Sequence, residues 1–571
     1  MSTIDNYKLW KSQHLKDADL TNELNALSEE QINDAFYRDL EFGTGGLRGI
    51  IGVGTNRMNI YTVGKATQGL ANYIIDNFQE NDRVVAISRD SRIKSDVFAK
   101  CAASVLAANN IKVKMYKNIA PVPMLSFATR YLKCCMGVMI TASHNPAKYN
   151  GYKVYNSDGC QITTEAAKEI YSYIEKIDTL TGFKKICFEE GINKGLISYI
   201  PSLVSDSFID EIKNQSLLGD SKINRNISIV YSPLNGSGLV PVTRSLRELG
   251  FNNIIVVKEQ EQPDGNFPTC PYPNPEIKEA LSLGLEYCKR YNADLMLATD
   301  PDCDRVGIAV KNDKGEYTLL SGNEVGILLF DYVCSRRISL NKMPRNPVMI
   351  KTIVTMDLAE KIAKSYGVNV INVLTGFKFI GEQIGYLEKQ GRENDYIFGF
   401  EESYGYLTGT YVRDKDGVNG ATMIVEMFVY YKSQGISLLD KLNELWGKYG
   451  YCLNTLHSYE FPGETGFIRM KEIMSFFRNG EVYIPGFVIK EKQDYINGLN
   501  GLPKSDVIKM SNDKYSIVFR PSGTEPKLKV YLSINASSKE EALKIENELS
   551  NNVTALINKG IYEQSLFKYS R

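Results

Sequence analysis

Apolar and polar positions along this chain fall into two textures. The first 40 residues read as a polar helix whose spaced apolar positions are Trp10, Leu15, Leu20 and Leu24. After Gly43, short apolar runs alternate with helical periodicity. Residues 84–88 predict a strand, 96–108 a helix, 112–116 a second strand and 137–140 a third. Such βα alternation predicts a largely parallel sheet covered by helices. The layout recurs twice. A strand at 227–231 runs into Ser232-Pro-Leu-Asn-Gly-Ser-Gly238, then a helix and a strand at 253–257. A strand at 348–352 leads to a helix at 357–366 and a strand at 368–373. From about Tyr451 short strands and one closing helix at 539–556 suggest an α+β unit. The expected organisation is three α/β units of similar plan (1–205, 206–325 and 326–450) and a fourth α+β unit (451–571).

Composition narrows the function. At 571 residues the chain exceeds what one core serves, which agrees with several domains. Lys+Arg and Asp+Glu both total 67, so no global basic field exists to recruit nucleic acid or an acidic membrane. An anion site must therefore be local. The N-terminus lacks a basic-then-apolar leader, and no apolar run reaches the ~18 residues that span a bilayer. The 10 cysteines are scattered without a CxxC pair, which suits reduced thiols in a cytoplasmic protein. With three histidines, a His-rich metal centre is excluded.

The candidate chemistry lies where apolar strands end. The run at 137–140 delivers Thr141-Ala-Ser143-His144-Asn-Pro146, followed by Tyr149-Asn-Gly-Tyr-Lys153. A serine there is ordinarily a cap or turn residue; as a phosphate carrier it would hold about −1.5 to −2 charges and need a cation nearby. A strand at 294–299 ends in Asp300-Pro-Asp302-Cys303-Asp304-Arg305. Carboxylates at alternate positions of an extended segment share a side, and a hard divalent cation relieves their repulsion. An EF-hand fails, because position six would be Arg305 and position twelve Lys311. Arg520-Pro-Ser522-Gly523-Thr524 offers a guanidinium, two hydroxyls and a glycine-exposed backbone, a small phosphate nest or an ordinary turn. Gly399-Phe-Glu401-Glu402-Ser403 supplies acceptors suited to sugar hydroxyls. Beside it stand Thr375-Gly376-Phe-Lys378 and Arg413-Asp-Lys415-Asp-Gly417, and Gly43–Gly49 adds Arg48.

Together these segments resemble the α-D-phosphohexomutases over essentially the whole chain. Residues 141–146 are similar to that family's phosphoserine loop and 300–305 to its magnesium loop. Residues 399–403 are similar to its sugar-recognition loop and 520–524 to its phosphate-binding loop. The resemblance implies three mixed-sheet α/β domains and a C-terminal α+β domain in a heart-shaped monomer with a central cleft. It implies that phosphoserine at Ser143 donates its phosphoryl group while Asp300, Asp302 and Asp304, with Ser143, hold one Mg²⁺. Lys415 would be the acid/base, with Arg48, His144, Lys153 and Arg305 around the reaction centre. Glu401 and Ser403, beside Thr375, Gly376 and Lys378, would bind the sugar. Arg520, Ser522, Gly523 and Thr524 would grip the non-reacting phosphate. The implied reaction interconverts glucose 1-phosphate and glucose 6-phosphate through glucose 1,6-bisphosphate, which also serves as activator. The alternatives are the family's phosphopentomutase branch, acting on ribose or deoxyribose 1-phosphate, and a non-catalytic binding protein on the same fold. In the family the residue after the second aspartate is usually glycine or alanine; here it is Cys303.

Overall fold

A computed structural model describes residues 2–43, 45–219, 223–461, 463–480, 482–485, 487–522 and 527–559. The N-terminal segment is three helices, Thr3–Ser12, Ala18–Ala26 and Glu29–Phe36, where the apolar spacing predicts one. Side chains of Ser2, Asp17 and Ser28 cap them, each satisfying orphan backbone N–H groups and restarting the helix. Trp10, Leu15, Leu20 and Leu24 are all buried, packed with Phe36, Val53 and Tyr61.

Four β-sheets follow among the described residues, and the first three share a plan. In the first, strands Val84–Arg89, Lys112–Met115, Met136–Ile140 and Ile197–Tyr199 run parallel. Tyr149–Asn156 pairs antiparallel to Met136–Ile140, and Gly46–Ile50 antiparallel to it in turn. In the second, Ile229–Ser232, Ile254–Val256 and Leu295–Thr299 are parallel, while Val306–Lys311 and Tyr317–Leu320 extend the edge antiparallel. In the third, Asn369–Val373, Val348–Thr352 and Tyr396–Glu401 are parallel and Gly405–Leu407 returns antiparallel. The sheets are thus mixed where alternation alone predicts largely parallel ones. In each sheet one parallel strand (Met136–Ile140, Leu295–Thr299 or Tyr396–Glu401) is joined directly to its neighbour without a crossover helix, and so short a connection can only reverse the chain.

The central strands Met136–Ile140, Leu295–Thr299 and Val348–Thr352 are buried throughout, as strands covered on both faces are. The fourth sheet is wholly antiparallel: Tyr451–Glu460, Lys527–Ala536, Tyr515–Pro521, Ile508–Ser511 and Glu491–Asp494. Its core also buries apolar side chains of the helices Gly463–Asn479 and Lys539–Lys559. No helix among the described residues is long and apolar enough to cross a membrane.

Candidate active site

The reversing turns of the three mixed sheets carry three of the sequence-predicted loops. Ser143 lies between Met136–Ile140 and Tyr149–Asn156, the aspartates between Leu295–Thr299 and Val306–Lys311, and Ser403 between Tyr396–Glu401 and Gly405–Leu407. Each turn holds one non-glycine residue in the left-handed region: Ser143 (φ 53°), Cys303 (φ 49°) and Tyr404 (φ 64°). That conformation costs roughly 1–2 kcal/mol per residue, and such strain gathers at functional turns. The acidic segment is accordingly a turn, with Cys303 N–H donating to Asp300 O at 2.9 Å, and not the extended strand its alternation suggests.

The turn still brings the carboxylates together. Ligand atoms of Asp300, Asp302 and Asp304 lie within 4.8 Å of one another, all buried. Asp300 Oδ1 accepts the Asp304 and Arg305 backbone N–H groups, both at 3.1 Å, and its Oδ2 accepts the Ser143 hydroxyl at 3.1 Å. Asp302 Oδ1 and Asp304 Oδ1 are buried and accept no hydrogen bond. Buried carboxylate oxygens left open at such spacing are what an oxygen-preferring divalent cation takes, so the residues fit a Mg²⁺ site. Burial, then repulsion from Asp302 and Asp304, pushes the Asp300 carboxyl well above its ordinary range.

Lysines converge on the same carboxylates. Lys153 Nζ lies 3.0 Å from Asp302 Oδ2 and Lys415 Nζ 2.8 Å from Asp304 Oδ2. Burial disfavours the Lys415 ammonium, but Asp304, Asp414 and Glu401 outweigh it and raise its pKa, so it is the acid form. Arg48 faces Gly151 in the register, which puts it on the same face as Lys153. His144 Nδ1 lies 3.1 Å from Ser143 Oγ. Burial, then the guanidinium charges of Arg305 and Arg48, lowers its pKa well below the usual imidazole value and keeps it neutral. Arg305 pairs with Glu276.

One cleft of about 860 Å³ collects the remaining residues. Thr375, Gly376, Lys378, Glu401, Ser403, Arg520 and Ser522 line it together with Ser143, His144, Lys153, Arg48, Arg305 and Lys415. Burial, then Arg520, lowers the Lys378 ammonium to about 8. Gly523 and Thr524 lie outside the described residues.

Sequence reasoning missed Lys529, Tyr155 and Asp414. Arg520 and Lys529 sit directly opposite each other in the fourth sheet, and both line the cleft. Like charges so placed destabilise a sheet unless an anion joins them; burial and Arg520 lower Lys529. The alternation Lys527-Leu-Lys529-Val was the available signal. Tyr155 donates to Asp414 Oδ2 at 3.0 Å, tying the segment that carries Lys415 to the first sheet. Nothing local foretells that pairing.

A fold of three mixed sheets and an antiparallel fourth, with serine, acidic and basic loops around one cleft, defines a phosphoryl-transfer protein. Family models described as phosphoglucomutase/phosphomannomutase alpha/beta/alpha domains I, II and III match residues 39–181, 206–315 and 321–449. The chain belongs to the phosphoglucomutase/phosphomannomutase family. It is 36% identical over 526 residues to a protein named phosphoglucomutase from Staphylococcus saprophyticus, covering 90% of this chain and 94% of the relative. A phosphoglucomutase from Staphylococcus aureus is 36% identical over 522 residues, covering 89% and 92%. Among solved structures, a phosphoglucomutase/phosphomannomutase family protein from Burkholderia thailandensis shares the fold with a TM-score of 0.67 at 18% identity, covering 90% of this chain and 97% of that one. Parafusin from Paramecium does so with a TM-score of 0.67 at 17% identity, covering 91% and 96%.

Proposed function

We propose that the chain is a phosphoglucomutase, an intramolecular phosphotransferase that interconverts glucose 1-phosphate and glucose 6-phosphate. The observation that carries this reading is the convergence of Ser143, three buried aspartates and two lysines beside a cleft that Arg520 and Lys529 also line. Relatives of the same name, at 36% identity over nearly the whole chain, support it.

Ser143, as phosphoserine, gives its phosphoryl group to the 6-hydroxyl of glucose 1-phosphate; the Oγ–P bond breaks as the O6–P bond forms. Glucose 1,6-bisphosphate then turns over in the cleft, and Ser143 Oγ takes the phosphoryl group from the oxygen on carbon 1. In each half the proton leaves the attacking hydroxyl and reaches the departing oxygen. Lys415, already an ammonium, gives its proton to the departing oxygen and, then neutral, takes the proton of the attacking hydroxyl, ending each half as it began, while neutral His144 orients the serine hydroxyl. Mg²⁺ held by Asp300, Asp302, Asp304 and Ser143 would supply charge neutralisation for the phosphoryl oxygens. Arg48, Lys153 and Arg305 face the transferring group, while Glu401 and Ser403 hold sugar hydroxyls next to Thr375, Gly376 and Lys378. Arg520, Ser522, Gly523, Thr524 and Lys529 grip the other phosphate in both orientations. The ten unpaired cysteines, nine of them buried, suit a cytoplasmic enzyme. We expect a monomer acting on small sugar phosphates, with no nucleic-acid or membrane partner.

The test is kcat/KM for glucose 1-phosphate and ribose 1-phosphate side by side, with Mg²⁺ and the matching bisphosphate. A glucose preference of roughly a hundredfold, about 2.7 kcal/mol, is expected. A pentose preference would reassign the substrate.

A further inference from the structure

Arg92 lies between strand Val84–Arg89 and helix Ser95–Ala108, outside the cleft, and is 3% exposed. Its guanidinium is spent on the serine turn. Nη1 donates to Pro146 O and Tyr149 O, both at 3.0 Å, and Nη2 donates to Ser143 O at 2.5 Å and to Asn145 O. The neighbouring carboxylate is Asp90, equally buried, with Oδ2 3.4 Å from Arg92 Nε. Asp90 belongs to the same device: its Oδ2 accepts the Thr141 hydroxyl at 2.6 Å, and its Oδ1 accepts Arg92 N–H at 2.9 Å and Ser95 Oγ at 3.0 Å. Thr141 Oγ1 accepts Ser143 N–H at 2.8 Å and lies 3.2 Å from Asp302 Oδ2, joining the serine turn to the acidic turn.

The arginine is also packed from the loop between helices Lys258–Glu261 and Lys278–Tyr291. Phe267 lies against the guanidinium at 5.1 Å, and Gly265 packs so tightly that a Cβ there would stand 2.4 Å from Ile93 N. A buried guanidinium is costly unless its donors are filled. Here carbonyls from both ends of segment 143–149 fill the Nη donors, the Asp90 carboxylate stands beside Nε, and the residue so gripped is the one held at φ 53°.

We infer that Arg92 is a positioning residue for phosphoryl transfer: it fixes the direction of Ser143 Oγ without touching substrate. The inference rests on Ser143 being the phosphoryl carrier. In-line transfer tolerates little misdirection, and a displacement near 1 Å costs on the order of a hundredfold in rate. Lysine keeps the charge but has no planar fork to reach four carbonyls.

The experiment compares Arg92→Lys, Arg92→Ala and Ser143→Ala with the unmodified enzyme. Steady-state kinetics on glucose 1-phosphate, thermal unfolding and the phosphorus NMR resonance of the phosphorylated chain are recorded. We expect kcat to fall roughly a hundredfold in both Arg92 variants with KM changed less than about threefold, and the phosphoserine resonance to shift. Ethylguanidinium should restore about tenfold in Arg92→Ala alone. If Arg92→Ala does not fold, the kcat–KM split and the resonance of Arg92→Lys carry the test. A Ser143→Ala variant without turnover beside an Arg92→Lys variant with unshifted resonance and kcat within about threefold of normal would overturn the positioning role. Turnover by Ser143→Ala would instead overturn the carrier reading.

Discussion

Replacing Lys415 with methionine removes one ammonium and leaves its stem. That stem runs beside Gly405, where a Cβ would come within 2.5 Å of Lys415 Cδ, so an unbranched side chain of similar length fits. The lost group faces Asp304 Oδ2 at 2.8 Å and Asp414 Oδ1 at 3.5 Å. Two effects should separate. Losing a positioned acid/base costs about 10²–10⁴-fold in kcat, or roughly 3–5 kcal/mol of barrier. Breaking a buried pair by deleting one partner costs roughly 3–5 kcal/mol of stability. The lower end is expected, because Lys153 Nζ also lies 3.9 Å from Asp304 Oδ2. Lys415 has a folded pKa raised above its unfolded value, so its stabilising contribution is fully present below the unfolded pKa of about 10.4 and lost above the folded one. An assay near neutral pH therefore sees all of it. The assay is rapid-quench discharge of phosphorylated enzyme by glucose 1-phosphate, alongside thermal unfolding. Single-turnover discharge within about fivefold of normal in Lys415→Met, with discharge lost in Lys153→Met, would refute the assignment and move the acid/base role to Lys153.

Asp302→Asn should abolish the thermal stabilisation by Mg²⁺, which at a hundredfold excess over Kd is about 2.7 kcal/mol in the unmodified protein; an unchanged Mg²⁺ response would count against the site. Because Lys378 loses its proton at about 8, kcat/KM for sugar phosphate should fall above that pH, and Lys378→Arg should move the fall to higher pH; the same alkaline limb in both would remove Lys378 from substrate binding. Lys529→Met should raise KM at least tenfold with kcat nearly unchanged, the loss of one charge-assisted contact of about 1.5–3 kcal/mol; a fall in kcat alone would contradict that role. Trp10→Ala should cost about 3–5 kcal/mol of stability with kcat/KM unchanged at low temperature, since Trp10 is 1% exposed and outside the cleft. Lost activity in a folded variant would tie the N-terminal helices to the cleft.

Chemistry at the ends of apolar strands is legible in the sequence itself. The runs that lead to Thr141 and Asp300 are central, fully buried strands, and a turn leaving such a strand puts its side chains beyond the strand's carboxyl end, where ligands of such sheets bind. Trp10, Leu15, Leu20 and Leu24 are likewise legible as buried positions, though the helix breaks at Gln13 and Leu27 are not. Those breaks depend on caps at Asp17 and Ser28, which compete with simple periodicity. Non-local partners stay hidden. Lys529 faces Arg520 only through strand register, and Tyr155 reaches Asp414 across 259 residues of chain. Arg92 belongs to the same class, because its partners are backbone carbonyls, whose positions no side-chain pattern encodes.

Covalent label transfer tests the central claim most directly. The chain is incubated with Mg²⁺ and glucose 1,6-bisphosphate carrying labelled phosphate, quenched and digested, and the labelled peptide is sequenced. The account predicts stoichiometric label on Ser143, discharged at the turnover rate by glucose 1-phosphate and far more slowly by ribose 1-phosphate. Label on another residue, or turnover of glucose 1-phosphate by a chain that never carries label, would contradict it.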